Sequence, residues 1–199
     1  MEALVKVTGI AAALPAANID TDVIMPKVFL KGVDRQGLRE GLFHDLRFDA
    51  DGCEREGFIL NRPETREARF LIVGPNFGCG SSREHAVWGL MQYGIRALIG
   101  TSFAGIFFDN CGRNGLAALT LPKPEVERLL ALAEHGLGMT VDLEARRIEL
   151  PGEAVAFEIE EGLRRQLLDG RDAIDTTLTR RAEIEAFQHR HLAANPWFR

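Results

Sequence analysis

Residues 68–99 read ARFLIVGPNFGCGSSREHAVWGLMQYGIRALI, and this stretch decides the fold class. Ala68–Gly74 is a short, β-rich apolar run closed by Gly74-Pro75, the pattern of a buried strand. Asn76–Ser82 is a Gly- and Ser-rich turn. From Arg83 to Tyr93, Ala86, Val87, Leu90 and Met91 share one face of a predicted helix. Ile95–Ile99 then predicts the next strand, Phe103–Asn110 a helix, Leu116–Leu121 a third strand and Pro124–His135 a further helix, with Gly136 and Gly138 as stop signals. Strands alternating with helices in this way predict a parallel sheet with right-handed crossovers.

Outward from this unit the pattern is less regular. Val5–Ala12 predicts a strand. Asp34–Gly57, rich in Gly, Asp, Arg and Glu, predicts an exposed loop with short helical pieces. A loop of that length is uncommon unless it binds something. On the other side, Met139–Leu143, Arg147–Leu150 and Val155–Ile159 predict short strands added in antiparallel fashion. Arg180–Leu192 predicts a charged terminal helix, with Ile184, Phe187 and Leu192 as its buried stripe. His189 and His191 lie two residues apart on that helix and so point apart, which argues against a shared metal ion.

Composition narrows the class further. The chain has 199 residues, 46% of them hydrophobic and 27% charged, which predicts one soluble domain able to bury its own core. There are 24 Lys and Arg against 29 Asp and Glu, a net charge of −5, and that balance argues against a nucleic-acid partner. No window approaches the ~20 apolar residues of a membrane span. Ile10–Ala17 is too short and too interrupted by Pro15 to read as a secretion signal. Cys53, Cys79 and Cys111 fit neither a disulfide framework nor a CxxC knuckle, which predicts a cytoplasmic location. They form no iron–sulfur motif either.

The turn Gly78-Cys79-Gly80-Ser81-Ser82-Arg83-Glu84-His85 joins a strand to a helix, where open α/β sheets usually bind ligands. Ser81 and Glu84 have the spacing of a capping box, so the helix is expected to begin there. Unpaired amides at a helix start suit an anion. Arg83 opposes the helix dipole in the first turn, and a guanidinium there makes sense as a bidentate clamp for a carboxylate or phosphate. A plainer reading stands beside it, in which Ser81 only caps a helix and Arg83 pairs with a surface acid. The stretch lacks the G-K-[ST] of a phosphate loop, the third Gly of a dinucleotide turn and the G-x-S-x-G of a nucleophile elbow. His85 is expected to pack rather than to form a catalytic pair with serine.

The run GPNFGCGSSREHAVW (residues 74–88) resembles the active-site signature of the small-subunit family of 3-isopropylmalate dehydratase (isopropylmalate isomerase). That family is similar to the swivelling domain of the aconitase superfamily. Asn18-Ile19-Asp20-Thr21-Asp22-Val23-Ile24-Met25-Pro26 resembles its N-terminal motif, with Met25 where Ile is usual. Phe29-Leu30-Lys31 and Gly41-Leu42-Phe43 resemble the following loop. Ser102-Phe103-Ala104, Ile106-Phe107, Asn110 and Asn114-Gly115-Leu116 resemble a third block. Asp109–Arg113 departs from the pattern, and Cys111 there is expected to be a small buried hydrophobe.

The resemblance implies an α/β swivelling β/β/α domain of aconitase type, with a mostly parallel central sheet flanked by helices and short additional strands. One domain is expected over residues 1–199, with a core of about 1–160 and a C-terminal helical extension of about 161–199. The implied activity is a hydro-lyase reaction in leucine biosynthesis, interchanging 2-isopropylmalate and 3-isopropylmalate through isopropylmaleate. A related diacid hydro-lyase acting on citraconate, citramalate or a homoaconitate, or a stand-alone anion-binding module, remains open.

The family's chemistry uses a [4Fe-4S] cluster, and since this chain lacks the cysteines, the cluster is expected on a separate large subunit. The other expected partner is a small dicarboxylic hydroxy-acid substrate. By resemblance Ser81 corresponds to the catalytic base, Asp22 to an active-site acid, and Ser82 and Arg83 to ligands of the substrate carboxylate. Gly80 opens the turn whose amides would support Ser81, while Lys31 and Arg35 are candidates for a second anion contact. For Asp22 the competing reading is a local Asx turn.

Overall fold

The structure, a computed structural model, describes residues 1–30 and 37–198. Lys6–Leu14 (β1), Ala68–Val73 (β2), Ala97–Gly100 (β3) and Ala117–Thr120 (β4) run parallel. Leu137–Asp142 (β5) joins the free edge of β1 antiparallel, and Arg147–Leu150 (β6) and Glu153–Ala156 (β7) extend it the same way. The order across the single sheet is β4-β3-β2-β1-β5-β6-β7. β1 is therefore the seam between a parallel half and an antiparallel half, as the alternation of the central stretch and the short later strands predict.

The helices are Thr21–Ile24 (α1), Leu38–Gly41 (α2), His44–Arg47 (α3), His85–Tyr93 (α4), Gly105–Asn114 (α5), Lys123–Leu132 (α6), Glu161–Asp169 (α7), Ala173–Leu178 (α8) and Arg181–Ala194 (α9). Side-chain alternation on β2 explains how they layer. Leu71 and Val73 point into one core with Val87 and Leu90 of α4 and Phe107 of α5. Phe70 and Ile72 point into a second core with Val126 and Leu129 of α6 and with Met139, Val141 and Ile148. Where a strand is covered on both faces it must be apolar at every position, which is why Phe70–Val73 shows no polar alternation, while Arg69 before it is exposed. Each such side chain, fully buried, contributes about 1.5–3 kcal/mol.

Two expectations are corrected by the structure. Residues 37–57 do carry the short helices α2 and α3, and 50–57 are exposed as expected, but 38–47 pack against the body. Leu38, Leu42 and Phe43 are buried, and Arg47 lies beneath them. Its guanidinium donates to the carbonyls of Leu42 (3.3 Å) and Arg39 (3.2 Å) and to Oδ1 of Asn61 (3.3 Å). The Tyr93 hydroxyl lies between the carbonyls of Leu60 and Arg66, at 2.9 and 2.8 Å. Burial lowers the Arg47 pKa and raises that of Tyr93. Arg47, inside a stretch read as exposed loop, thus joins Asn61 and Tyr93 in an internal brace under the segment.

The second correction concerns α9, none of whose residues is buried. Ile184 and Phe187, expected in a buried stripe, are exposed, and His191 stacks on Phe187 at 5.4 Å between ring centroids. α7, by contrast, is docked. Leu167 enters the core, Gln166 donates to the carbonyl of Gly112 (3.0 Å), and the amide of Leu4 donates to the carbonyl of Leu167 (2.9 Å). Cys111 is fully buried on α5, and burial pushes its thiol well above the usual range, consistent with the small-hydrophobe reading.

Candidate active site

Three loops leave the C-terminal ends of β1, β2 and β3 and converge there. Residue pairs Asp20 with Cys79 and Phe77 with Phe103 bridge them in parallel. The first loop enters α1, where Asp20 is the N-cap: its Oδ1 accepts from the amides of Asp22 (2.9 Å) and Val23 (2.8 Å). The Asx geometry thus belongs to Asp20, and the Asp22 carboxylate is left free to act elsewhere. It forms ion pairs with Arg83 Nη1 and, at 3.7 Å, with Lys27 Nζ.

Two glycines shape the second loop. Gly78 has φ +77°, and a Cβ there would overlap the Phe107 ring. Gly80 has φ +96°, with Thr21 Oγ1 and the Asp20 Cβ packed where its side chain would start. The backbones interlock, with the Gly78 amide donating to the Ile19 carbonyl and the Thr21 amide to the Cys79 carbonyl, both at 2.8 Å. Ser81 lands beside Thr21: its amide donates to Thr21 Oγ1 (3.1 Å) and the two hydroxyl oxygens are 2.9 Å apart.

The capping box expected from Ser81 and Glu84 does not form. α4 starts later, at His85, with Glu84 as its N-cap and no side-chain cap. Ser81 is spent on Thr21, and Glu84 accepts instead from Asn114 Nδ2 at 3.0 Å. Long-range partners outcompete the local motif. Asn110 and Asn114 of α5 secure the turn from below, Asn110 Nδ2 donating to the Ser82 carbonyl (3.2 Å) and Asn114 Oδ1 accepting from Trp88 Nε1 (2.9 Å). His85 stacks against Trp88 at 4.7 Å, the packing role expected of it.

Residues 1–124 match the family model described as the aconitase C-terminal domain. The chain is 49% identical over 201 residues to 3-isopropylmalate dehydratase small subunit 1 of Mannheimia succiniciproducens, covering 100% of both chains. It is 50% identical over 200 residues to 3-isopropylmalate dehydratase small subunit of Rhodospirillum centenum, covering 99% of this chain and 98% of that one. The chain belongs to the 3-isopropylmalate dehydratase small-subunit family. A crystal structure of 3-isopropylmalate dehydratase from Methanocaldococcus jannaschii is similar in fold, with a TM-score of 0.67 and 28% identity, covering 92% of this chain and 99% of that one.

In this small-subunit family member, Gly80, Ser81, Ser82, Arg83 and Asp22 lie on loops at one open edge of the molecule, beyond the C-terminal ends of β1 and β2. Lys31 and Arg35 lie outside the described residues. Thr21, Asn110 and Asn114 were not singled out for the site in sequence, although all three fall inside the motif blocks. Their role depends on contacts between loops far apart in the chain, which no local spacing encodes.

Among the described residues no three His, Cys, Asp or Glu side chains stand together as ligands, and Cys53 is exposed, Cys79 half-buried and Cys111 in the core. Among the described residues no helix is long and apolar enough to cross a membrane. A cavity of about 530 Å³ between the N-terminus, α4 and α8 includes Glu84 and Arg113 but none of Asp22, Ser81 and Arg83. Those three residues are partly exposed at the surface instead.

Proposed function

We propose that this chain is the small subunit of a 3-isopropylmalate dehydratase and works with a large subunit to interconvert 2-isopropylmalate and 3-isopropylmalate through isopropylmaleate. The observation that carries the reading is the convergence of Asp22, Ser81, Ser82 and Arg83 on one open edge, in a chain matched along its whole length by curated small subunits. Arg83 would hold a substrate carboxylate through its planar fork, in place of the Asp22 carboxylate that it pairs with in the free chain. Ser82 would add a hydroxyl contact to that carboxylate. Ser81, deprotonated, would take the proton from the carbon beside the carboxylate, and the neighbouring carbon would lose its hydroxyl, which leaves as water with a proton supplied from the large-subunit half of the site. In rehydration Ser81 would give its proton to the carbon that lost the hydroxyl, while a water adds its hydroxyl to the other carbon and returns its proton to the large-subunit side.

An open edge is half of an enclosed site, and the large subunit would supply the rest, including the [4Fe-4S] cluster for which this chain offers no ligands. Lys31 and Arg35 are the proposed cations for the second carboxylate, together with Lys27, which pairs with Asp22.

Anaerobic co-expression with a candidate large subunit, followed by dehydration assays on isopropylmalate, citramalate and homocitrate beside each chain alone, tests this. Activity on isopropylmalate from the pair only is the expected result. A pair silent on isopropylmalate and active on another diacid moves the substrate. Diacid binding by the isolated chain, with no complex and no activity from a cluster-loaded large subunit, overturns the proposal.

A further inference from the structure

We propose that Thr21 is a positioning residue that holds the Ser81 hydroxyl in its reactive orientation and stabilises its deprotonated form. The proposal rests on the reading of Ser81 as the base. Thr21 is 1% exposed, so its hydroxyl must be satisfied within the protein. Its oxygen already accepts the Ser81 amide at 3.1 Å, and it has one proton to place. Among the described residues the acceptor it meets is Ser81 Oγ, at 2.9 Å. Were the bond reversed, with Ser81 donating, the buried Thr21 proton would be left without an acceptor, which buried polar groups avoid. Ser81 is partly exposed and loses nothing by turning its own proton outward. The direction is therefore Thr21 to Ser81.

Two consequences follow from that direction. The Ser81 proton is aimed away from Thr21, to the open side where substrate would lie. When Ser81 has lost it, the Thr21 O–H remains as a charge-assisted donor to the oxyanion. Thr21 is fixed at the start of α1 by the Asp20 cap, and the bond from its amide to the Cys79 carbonyl ties the Ser81 loop to it, so the two hydroxyls keep their spacing. Gly80 leaves the room: a Cβ there would stand 3.4 Å from Thr21 Oγ1. One hydroxyl thus serves both backbone and side chain of the same serine.

The test uses the assembled two-subunit enzyme with Thr21→Val, Thr21→Ser and Ser81→Ala in the small subunit, reading kcat, KM and the pH dependence of kcat. Thr21→Val is expected to lower kcat about 100-fold, the usual loss for one oxyanion donor, with KM held within about threefold. The acid limb of its kcat profile moves to higher pH, because an unsupported serine is harder to deprotonate. Thr21→Ser is expected to recover at least about tenfold over Val. If the Val variant fails to assemble, Thr21→Cys, a poor donor of similar size, should show the same lowered kcat and shifted limb.

Unchanged kcat and acid limb in Thr21→Val or Thr21→Cys overturns the proposal, as does a rise in KM with an unmoved limb or a Ser variant no better than Val. An active Ser81→Ala enzyme overturns the reading of Ser81 itself. An inactive Ser81→Ala enzyme beside a normal Thr21→Val enzyme removes only the role of Thr21.

Discussion

Gly78 and Asp22 show two kinds of residue-scale constraint. At Gly78 both the left-handed φ and the Phe107 ring exclude a side chain. Gly78→Ala is expected to cost about 2–4 kcal/mol, from the strained backbone plus the overpacked ring, read as a lower urea midpoint. At Asp22 the constraint is chemical. Its side chain is 46% exposed, so breaking the pairs with Arg83 and Lys27 by Asp22→Asn should change stability by less than about 1 kcal/mol while turnover of the assembled enzyme falls clearly. Equal losses of stability and turnover would assign Asp22 to the fold. The glycines and serines were legible in sequence because a Gly- and Ser-rich turn marks a strand-to-helix junction, and Arg83 because a cation in a first turn opposes the helix dipole. Thr21 was not, since a threonine in a short loop carries no signal until residue 81 is brought beside it.

Among the elements, α4 teaches the limit of local motifs. Ser81 and Glu84 have capping-box spacing, yet each finds a better partner on another element, and the helix starts without their help. Asn114→Ala removes the link between Trp88 and Glu84 and is expected to cost about 1–2 kcal/mol in thermal unfolding.

The seam between β1 and its antiparallel neighbours gives a pH prediction. The Ala145 amide and Lys6 hold the Asp142 carboxyl below its usual range, and Lys6 and Arg147 do the same for Glu149. Lys6 is raised by Glu149 and Asp142 in return. Depressed acids stabilise above their unfolded pKa values of about 3.9 and 4.3, and that contribution is lost as pH falls through their folded values. The raised Lys6 stabilises below about 10.4 and is lost as pH rises through its folded value. Lys6→Met should therefore flatten the loss of stability at both extremes, measured as denaturation midpoint against pH. Equal slopes in the two proteins would show that the triad contributes nothing.

On the scale of the whole molecule, the parallel half of the sheet was legible because the middles of β2, β3 and β4 are buried on both faces and hold no polar residue. The antiparallel half was legible from its short alternating runs. The C-terminal end was misread for a related reason. Apolar residues recur at helical spacing in α9, but periodicity reports an amphipathic face and not what covers it, and no residue of α9 is buried. A chain ending at Thr179 should therefore unfold within about 2 °C of the full chain, whereas Leu167→Ala in the docked α7 should lower stability by about 2–5 kcal/mol. A large fall in melting temperature on removing α9 would mean that it packs on the body after all.

The most direct measurement is the ratio of kcat/KM on isopropylmalate for the wild-type and Arg83→Lys small subunits, each assembled with the same large subunit and checked for equal complex formation. A lysine keeps the charge and loses the fork, so the expected result is an intact complex with kcat/KM lower by roughly 10- to 100-fold, the worth of a charged hydrogen bond. An intact complex with near-normal kcat/KM would contradict the assignment of this edge as the substrate-binding half of the enzyme.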